Sequence, residues 1–201
     1  MECGAALLIV DVQNDFCPGG ALPVTNGNRV IPPLNRAAER FARAGLTVLA
    51  SRDWHPRVTS HFREYGGVWP AHCIQGSHGA AFHQELCLPA GTLILSKGSD
   101  PESDGYSAFD AKDENGRNLN NLLILKGVIH LYVGGLATDY CVRASVLAAR
   151  QAGLAVTVLT DAIAGVNLTE SDSERAIAEM AAAGAEFCTV SELLETWGDQ
   201  K

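Results

Sequence analysis

The hydrophobic pattern alternates between two kinds of segment. Short apolar runs follow glycines, and longer mixed segments fill the space between them. The arrangement Ala-Gly or Lys-Gly before an apolar run occurs at Ala44-Gly45, Lys126-Gly127, Ala152-Gly153 and Ala183-Gly184. A glycine after a helix takes the left-handed capping conformation. The apolar run after it suits a strand buried on both faces. Two further runs, Leu7 to Val12 and Thr92 to Leu95, bring the expected strands to six. Helices are expected at 28–44, 117–126, 139–152, 171–183 and 191–197. Ser171 and Glu174 have capping-box spacing, and Ser191 is the expected N-cap of the last helix.

Strands alternating with helices predict an α/β fold: a doubly wound, mostly parallel six-stranded sheet with helices on both faces. The 201 residues have no linker or low-complexity tract, so a single domain over 1–201 is expected. The stretch 53–90 is the exception to the periodicity. It is rich in Pro, Gly, His and Trp, and a long irregular segment in a compact domain is usually functional.

Composition narrows the function classes. Apolar residues make up 47% of the chain and the net charge is -8, with no Lys/Arg cluster. Nucleic acid and an anionic membrane are therefore not expected partners. No apolar run is long enough to cross a bilayer. The start, Met1-Glu2-Cys3-Gly4, lacks the basic character of a signal peptide. The cysteines at 3, 17, 73, 87, 141 and 188 are scattered, without a C-x-x-C pair. They are read as cytosolic thiols, and a cytoplasmic location is expected. The sequence is compatible with a homo-oligomer and does not choose its size.

Candidate chemistry lies where the strands end, because open parallel sheets build sites beyond their carboxyl ends. Asp11 follows the first strand, Lys97 the third, and Cys141 the fourth. Cys141 is expected in the first turn of a helix, where unpaired N–H groups favour a thiolate. A neighbouring Lys97 would lower its pKa further, and Asp11 could carry the proton. Each residue alone reads more plainly as core, cap or surface charge; together, on converging strand ends, they point to nucleophilic catalysis. Asp53-x-His55 ends the second strand, and His61 and His72 follow within 20 residues. This Asp/His set suits one divalent metal ion, whether zinc, iron or manganese. Glu64 is close enough in sequence to bind through water. His78, His83 and His130 have no carboxylate at ligand spacing and are read as structural.

At these residues the sequence resembles the nicotinamidase branch of the isochorismatase-like cysteine hydrolases. The matching segments are Val10-Asp11-Val12-Gln13-Asn14-Asp15-Phe16, Asp53-Trp54-His55-Pro56, Ser60-His61-Phe62 and Trp69-Pro70-Ala71-His72-Cys73, then Ser96-Lys97-Gly98, Tyr106-Ser107-Ala108-Phe109 and Gly135 to Val142. The resemblance implies a catalytic set of Asp11, Lys97 and Cys141. It implies metal ligands at Asp53, His55 and His72, with His61 the best candidate for a variable fourth position. It also implies an oxyanion hole from the N–H groups of Ala137 and Cys141, a cis peptide between Leu136 and Ala137, and a pocket lined by Phe16, Trp69 and Tyr106. The implied reaction is metal-assisted hydrolysis of nicotinamide to nicotinate and ammonia, a step of NAD salvage.

The alternative is a related amidohydrolase acting on another small amide or an N-carbamoyl compound. The Asp/His cluster favours a substrate with a ring nitrogen. A dinucleotide-binding scaffold would need a G-x-G-x-x-G loop after the first strand, where Asp11-Val12-Gln13-Asn14-Asp15 stands instead. Vinyl-ether hydrolysis of the isochorismate type would not need Cys141. The acidic insert 99–105 reads equally as a solvated loop or a pocket rim.

Overall fold

In a computed structural model, residues 4–198 are described. Cys3, one of the expected thiols, lies outside them, as does the start at Met1–Cys3. The order of elements is β1 (Ala5–Val10), α1 (Ile31–Arg43), β2 (Thr47–Asp53), β3 (Leu93–Lys97), α2 (Leu119–Leu125), β4 (His130–Leu136), α3 (Arg143–Gln151), β5 (Ala155–Ala164), α4 (Asp172–Ala182), β6 (Glu186–Cys188) and α5 (Val190–Thr196). The strands form one six-stranded sheet in the order β3-β2-β1-β4-β5-β6. Every neighbouring pair is parallel. Chain direction reverses its walk across the sheet beside β1 and β4, the position where such sheets open a crevice.

Strand β1 is buried throughout, so its pleat feeds two cores. Leu7 and Ile9 pack with Leu34 and Phe41 of α1 and with Val190 and Leu193 of α5. Leu8 and Val10 pack on the other face with Leu122 of α2, Val146 of α3 and Met180 of α4. Both faces are thus covered, as a run of apolar residues without alternation requires. Among the described residues no helix is long and apolar enough to cross a membrane. Cys17, Cys73, Cys87, Cys141 and Cys188 are free thiols.

The expected glycine caps hold: Gly45, Gly127, Gly153 and Gly184 all have positive φ, between 64° and 86°. Several boundaries differ from expectation. Helix α1 starts at Ile31, after a separate tight turn at Gly27–Val30. Pro32 and Pro33 occupy its first turn, where their missing N–H groups are not needed. The expected helix 139–152 begins instead with a wide turn at Thr138–Val142, closed by Val142 N–H to Ala137 O (3.1 Å), before α3. Strands β4 and β5 run on to Leu136 and Ala164, past a register shift between Val133 and Gly135. Gly135 has φ 130°, and a Cβ there would lie 2.0 Å from Val10 O. Only glycine lets β4 lie this close to β1.

Two caps are corrected. Ser171 has ψ 7° rather than extended geometry, and its side chain makes no cap bond. Its Oγ accepts from Arg175 Nη1 (2.9 Å) instead. Ser191 lies inside α5, and Thr189 is the N-cap. Thr189 Oγ1 accepts from Glu192 N–H (3.2 Å), and Glu192 Oε2 accepts from Thr189 N–H (2.7 Å). Helix α5 holds Trp197 against Phe41 of α1, with ring centroids 4.7 Å apart. Thr189→Ala should therefore destabilise the protein by about 1 kcal/mol, whereas Ser191→Ala should change it by less than about 0.5 kcal/mol. Urea unfolding of the two variants checks the assignment.

Candidate active site

Four strand ends meet on one edge of the sheet. Asp11 lies just beyond β1, Asp53 closes β2, Lys97 closes β3, and Cys141 lies in the turn after β4. The register pairs Asp53 with Lys97 across β2 and β3. Lys97 is 1% exposed and Asp11 0%. Lys97 Nζ lies 2.8 Å from Asp11 Oδ2, bonds Asp53 Oδ1, and lies 3.3 Å from Cys141 Sγ. One ammonium thus touches both carboxylates and the thiol.

The electrostatics follow from that contact and from burial. Burial alone would push the Lys97 ammonium down, but Asp11, Asp53 and Cys141 outweigh it and hold Lys97 charged. Asp53 also resists protonation: burial opposes its charge, and Lys97 with the nearby imidazoles overrides that cost. Asp11 goes the other way. Burial raises its pKa, and Lys97 and the Ser51 hydroxyl, which donates to Oδ1 at 2.7 Å, only partly offset the rise. Cys141 differs from expectation. Burial, together with Asp11 and Asp53, pushes its thiol well above the usual range, and Lys97 does not reverse this. Its resting form is the thiol, so it needs a proton acceptor before it can act as a nucleophile. Asp11, with its raised proton affinity, is that kind of group.

Next to this group stand His55, His61 and His72, with ligand atoms all within 4.8 Å of one another. Each is at most 3% exposed. Asp53 Oδ2 is 3.7 Å from His55 Nε2 and 3.9 Å from His72 Nε2, beyond hydrogen-bond reach but facing the cluster. Pro70 O accepts from His72 Nδ1 (2.8 Å), and Asp104 Oδ1 accepts from His61 Nδ1 (2.8 Å). Each bond places the ring proton on Nδ1 and leaves the Nε2 lone pair facing inward. Burial lowers the pKa of His61, and that of His72 to about 4. His55 has no hydrogen-bond partner at either buried ring nitrogen. Two orphaned nitrogens in a buried site would be costly unless a cation takes a lone pair. Neutral imidazoles with one ionised carboxylate fit zinc, iron or manganese. Glu64 is exposed in a separate turn and is not part of the cluster.

Gly98 explains how close the cluster lies to the sheet. A Cβ there would sit 2.4 Å from the His55 ring, and φ is 65°. The irregular segment from Trp54 to Thr92 supplies His55, His61 and His72 to the cluster and Trp69 to the cavity beside it. His78, His83 and His130 lie outside it, with bonds to Asn14, Glu85 N–H and Thr157.

A narrow cavity opens onto these groups, lined by Phe16, Trp69 and Tyr106 and also by Leu22, Tyr140 and Val166. Asp53, His61, His72, Ala137 and Cys141 line it too. Trp69 Nε1 donates to Tyr106 Oη (2.8 Å), and the Tyr140 ring meets Trp69 edge-on at 4.9 Å. Wider grooves, such as one along Arg36, Arg40 and Ser191, lie away from these groups. The peptide Leu136–Ala137, which leads into the Cys141 turn, is cis.

A family model described as the isochorismatase domain matches residues 5–192. The chain belongs to the isochorismatase family. Within that family it is 42% identical to a nicotinamidase of Escherichia coli (strain K12), with 96% of this chain and 98% of that protein aligned. It is 40% identical to a nicotinamidase/pyrazinamidase of Mycobacterium tuberculosis, over 90% of this chain and 97% of that one. The structure superposes on that of the pyrazinamidase of Pyrococcus horikoshii in complex with zinc. The TM-score is 0.86 at 41% identity, covering 92% of this chain and 99% of that one.

Several residues that shape this isochorismatase-family site carry no chemical signal in the sequence. Gln13 grips Asp53 from both sides: its amide accepts from Asp53 N–H (2.7 Å) and donates to Asp53 O (2.8 Å). Asp15 Oδ2 accepts from Cys73 N–H (2.7 Å) and so fixes the chain beside His72. Asp139, two residues before Cys141, accepts from Val166 N–H (2.9 Å) and Asn167 N–H (2.8 Å). It ties the Cys141 turn to the loop that carries Val166 into the cavity wall. All three lie within motif segments but look like turn polar residues until their partners are known. Asp139→Ala should remove the shared acceptor of two backbone donors that water can reach, at about 0.5–1.5 kcal/mol each. Hydrogen exchange at the Val166 and Asn167 amides should accelerate more than in the sheet core, and equal protection in both proteins would remove Asp139 from this role.

Proposed function

We propose that the chain is a nicotinamidase, an amide hydrolase that converts nicotinamide to nicotinate and ammonia and so serves NAD salvage. The observation that carries the reading is Lys97, which joins Asp11 and Cys141 to Asp53 at the edge of the imidazole cluster. The relatives named above, similar along nearly their whole lengths, support the same reaction.

The ring of the substrate lies among Phe16, Trp69 and Tyr106, which exclude water and present flat apolar faces. The Cys141 thiol passes its proton to Asp11, and the sulfur attacks the amide carbon. The carbonyl oxygen becomes an oxyanion, held by the backbone N–H groups of Ala137 and Cys141. A single donor of that kind is worth about 3 kcal/mol. The C–N bond breaks as Asp11 returns its proton to the leaving nitrogen, and ammonia departs. Water then attacks the thioester and gives a proton to Asp11. Collapse of that second intermediate releases the acid and the sulfur; the sulfur recovers the proton from Asp11, and the acid gives its own proton to solvent or to the departed ammonia and leaves as nicotinate. Lys97 remains an ammonium throughout and offsets each negative charge beside it. One divalent cation per chain, held by Asp53, His55 and His72 with His61 as the fourth protein ligand, would supply a Lewis-acidic position for the pyridine nitrogen. This cluster is what favours nicotinamide over an N-carbamoyl compound, which has no ring nitrogen.

Cys141→Ala should lower kcat by about 10⁴-fold or more while leaving fold and metal uptake intact. Cys17→Ala, which alters a buried thiol outside the cavity, should keep activity. Full turnover by the Cys141 variant would remove it as nucleophile. Substrate choice tests the other half of the reading. Benzamide has the shape of nicotinamide without the ring nitrogen, and aromatic walls cannot tell the two apart. A polar site left without its partner can discriminate by about 10⁴-fold. Ammonia release should therefore show nicotinamide and pyrazinamide as substrates and benzamide as a poor one. Comparable kcat/KM for benzamide and nicotinamide would mean that the ring nitrogen is not read.

A further inference from the structure

The acidic insert that follows β3 is pinned at both ends against the histidine cluster. At one end Pro101 O accepts three bonds, from Ser60 N–H (2.9 Å), Ser60 Oγ (2.9 Å) and Thr59 Oγ1 (3.0 Å). Thr59 Oγ1 in turn accepts from His61 N–H (3.2 Å). At the other end Gly105 packs so tightly on Gly98 that a Cβ would sit 2.6 Å from Gly98 N, and Gly98 abuts the His55 ring. Asp104 lies between these anchors, with Oδ1 2.8 Å from His61 Nδ1.

We propose that Asp104 is a positioning residue for cation capture, holding His61 in the tautomer and orientation that present Nε2 to His55 and His72. A carboxylate only accepts, so the ring proton must sit on Nδ1. Carboxylate partners of this kind fix ring geometry and raise ligand basicity. The three rings are not equivalent. His72 receives the same support from a backbone carbonyl, which substitution does not remove, and among the described residues neither ring nitrogen of His55 has a hydrogen-bond partner. His61 alone depends on a side chain outside the cluster. The insert is solvated along residues 99–104, and from that loop Asp104 clamps one candidate ligand. The proposal rests on reading the cluster as a cation site.

The test is zinc affinity of the chelator-stripped full chain, measured by competition with chelators of graded strength so that weak variants stay on scale. Asp104→Ala should weaken zinc binding about 10- to 100-fold with unchanged circular dichroism. Asp104→Asn keeps a carbonyl acceptor for Nδ1–H and should fall between Ala and the parent. In a His61→Ala background, adding Asp104→Ala should cost nothing further, because the ring that it holds is gone. An equal cost in that background would mean that Asp104 acts through space by its charge, and parent-like affinity in Asp104→Ala would mean that it does nothing; either result overturns the proposal. If the parent chain takes up no zinc, the cation-site reading fails first, whereas strong uptake by both the parent and Asp104→Ala removes this inference alone.

Discussion

An ammonium with almost no exposure is the constraint around which this site is built. Isolated in the interior, Lys97 would lose its hydration at a cost of several kcal/mol and would tend to shed its proton. It keeps the charge because β1, β2 and the turn after β4 each deliver a partner within contact: Asp11, Asp53 and Cys141. The balance is deliberately uneven in its outcome. Two carboxylates face one ammonium, and burial tolerates one excess negative charge poorly. Asp53 stays ionised chiefly through its contact with Lys97, with His55 and His72 adding to it from the other side, while Asp11 takes on the raised proton affinity. A carboxylate of raised proton affinity thus sits beside a thiol that would have to lose its proton to act as a nucleophile.

The scaffold supplies this arrangement with little side-chain freedom. Asp53 and Lys97 are register partners on adjacent parallel strands, so their approach is a property of the sheet. Gln13 fixes the backbone of Asp53, and Ser51 fixes a carboxylate oxygen of Asp11. Gly135 allows β4 to approach β1 closely enough to bring the Cys141 turn to the same edge. Rigid strands hold the charged groups, and the irregular segment between β2 and β3 folds the imidazoles over them. That division matches the general rule that precise sites rest on regular elements and vary through loops.

Lys97 also joins the two halves of the site. It touches the thiol on one side and Asp53, which faces His55 and His72, on the other. Any change at the imidazole cluster is therefore felt electrostatically at Cys141, through a single buried carboxylate and a single ammonium. Buried networks of this kind transmit charge strongly because there is little water to screen them.

Local pattern alone carried the sheet and the chemistry-bearing strand ends. Runs such as Leu7 to Val10 can only be buried on both faces, and glycines such as Gly153 can only follow a helix in this way, so the alternating fold was legible without tertiary information. Asp11, Lys97 and Cys141 were legible because strand ends converge in such sheets. The Asp53, His55, His61 and His72 set stood out as a concentration of ligand types in an aperiodic stretch. The rest depended on partners distant in sequence. The choice of Thr189 over Ser191 as cap turned on backbone geometry, since both residues can cap in principle. Gln13, Asp15, Asp139 and Asp104 look like ordinary polar loop residues until the fold brings Asp53, Cys73, Val166 and His61 to them. The direction of the Cys141 shift was also a tertiary outcome. A helix start and a lysine favour the thiolate locally, but desolvation and two carboxylates outweigh them, and burial is a property of the packed chain rather than of any segment.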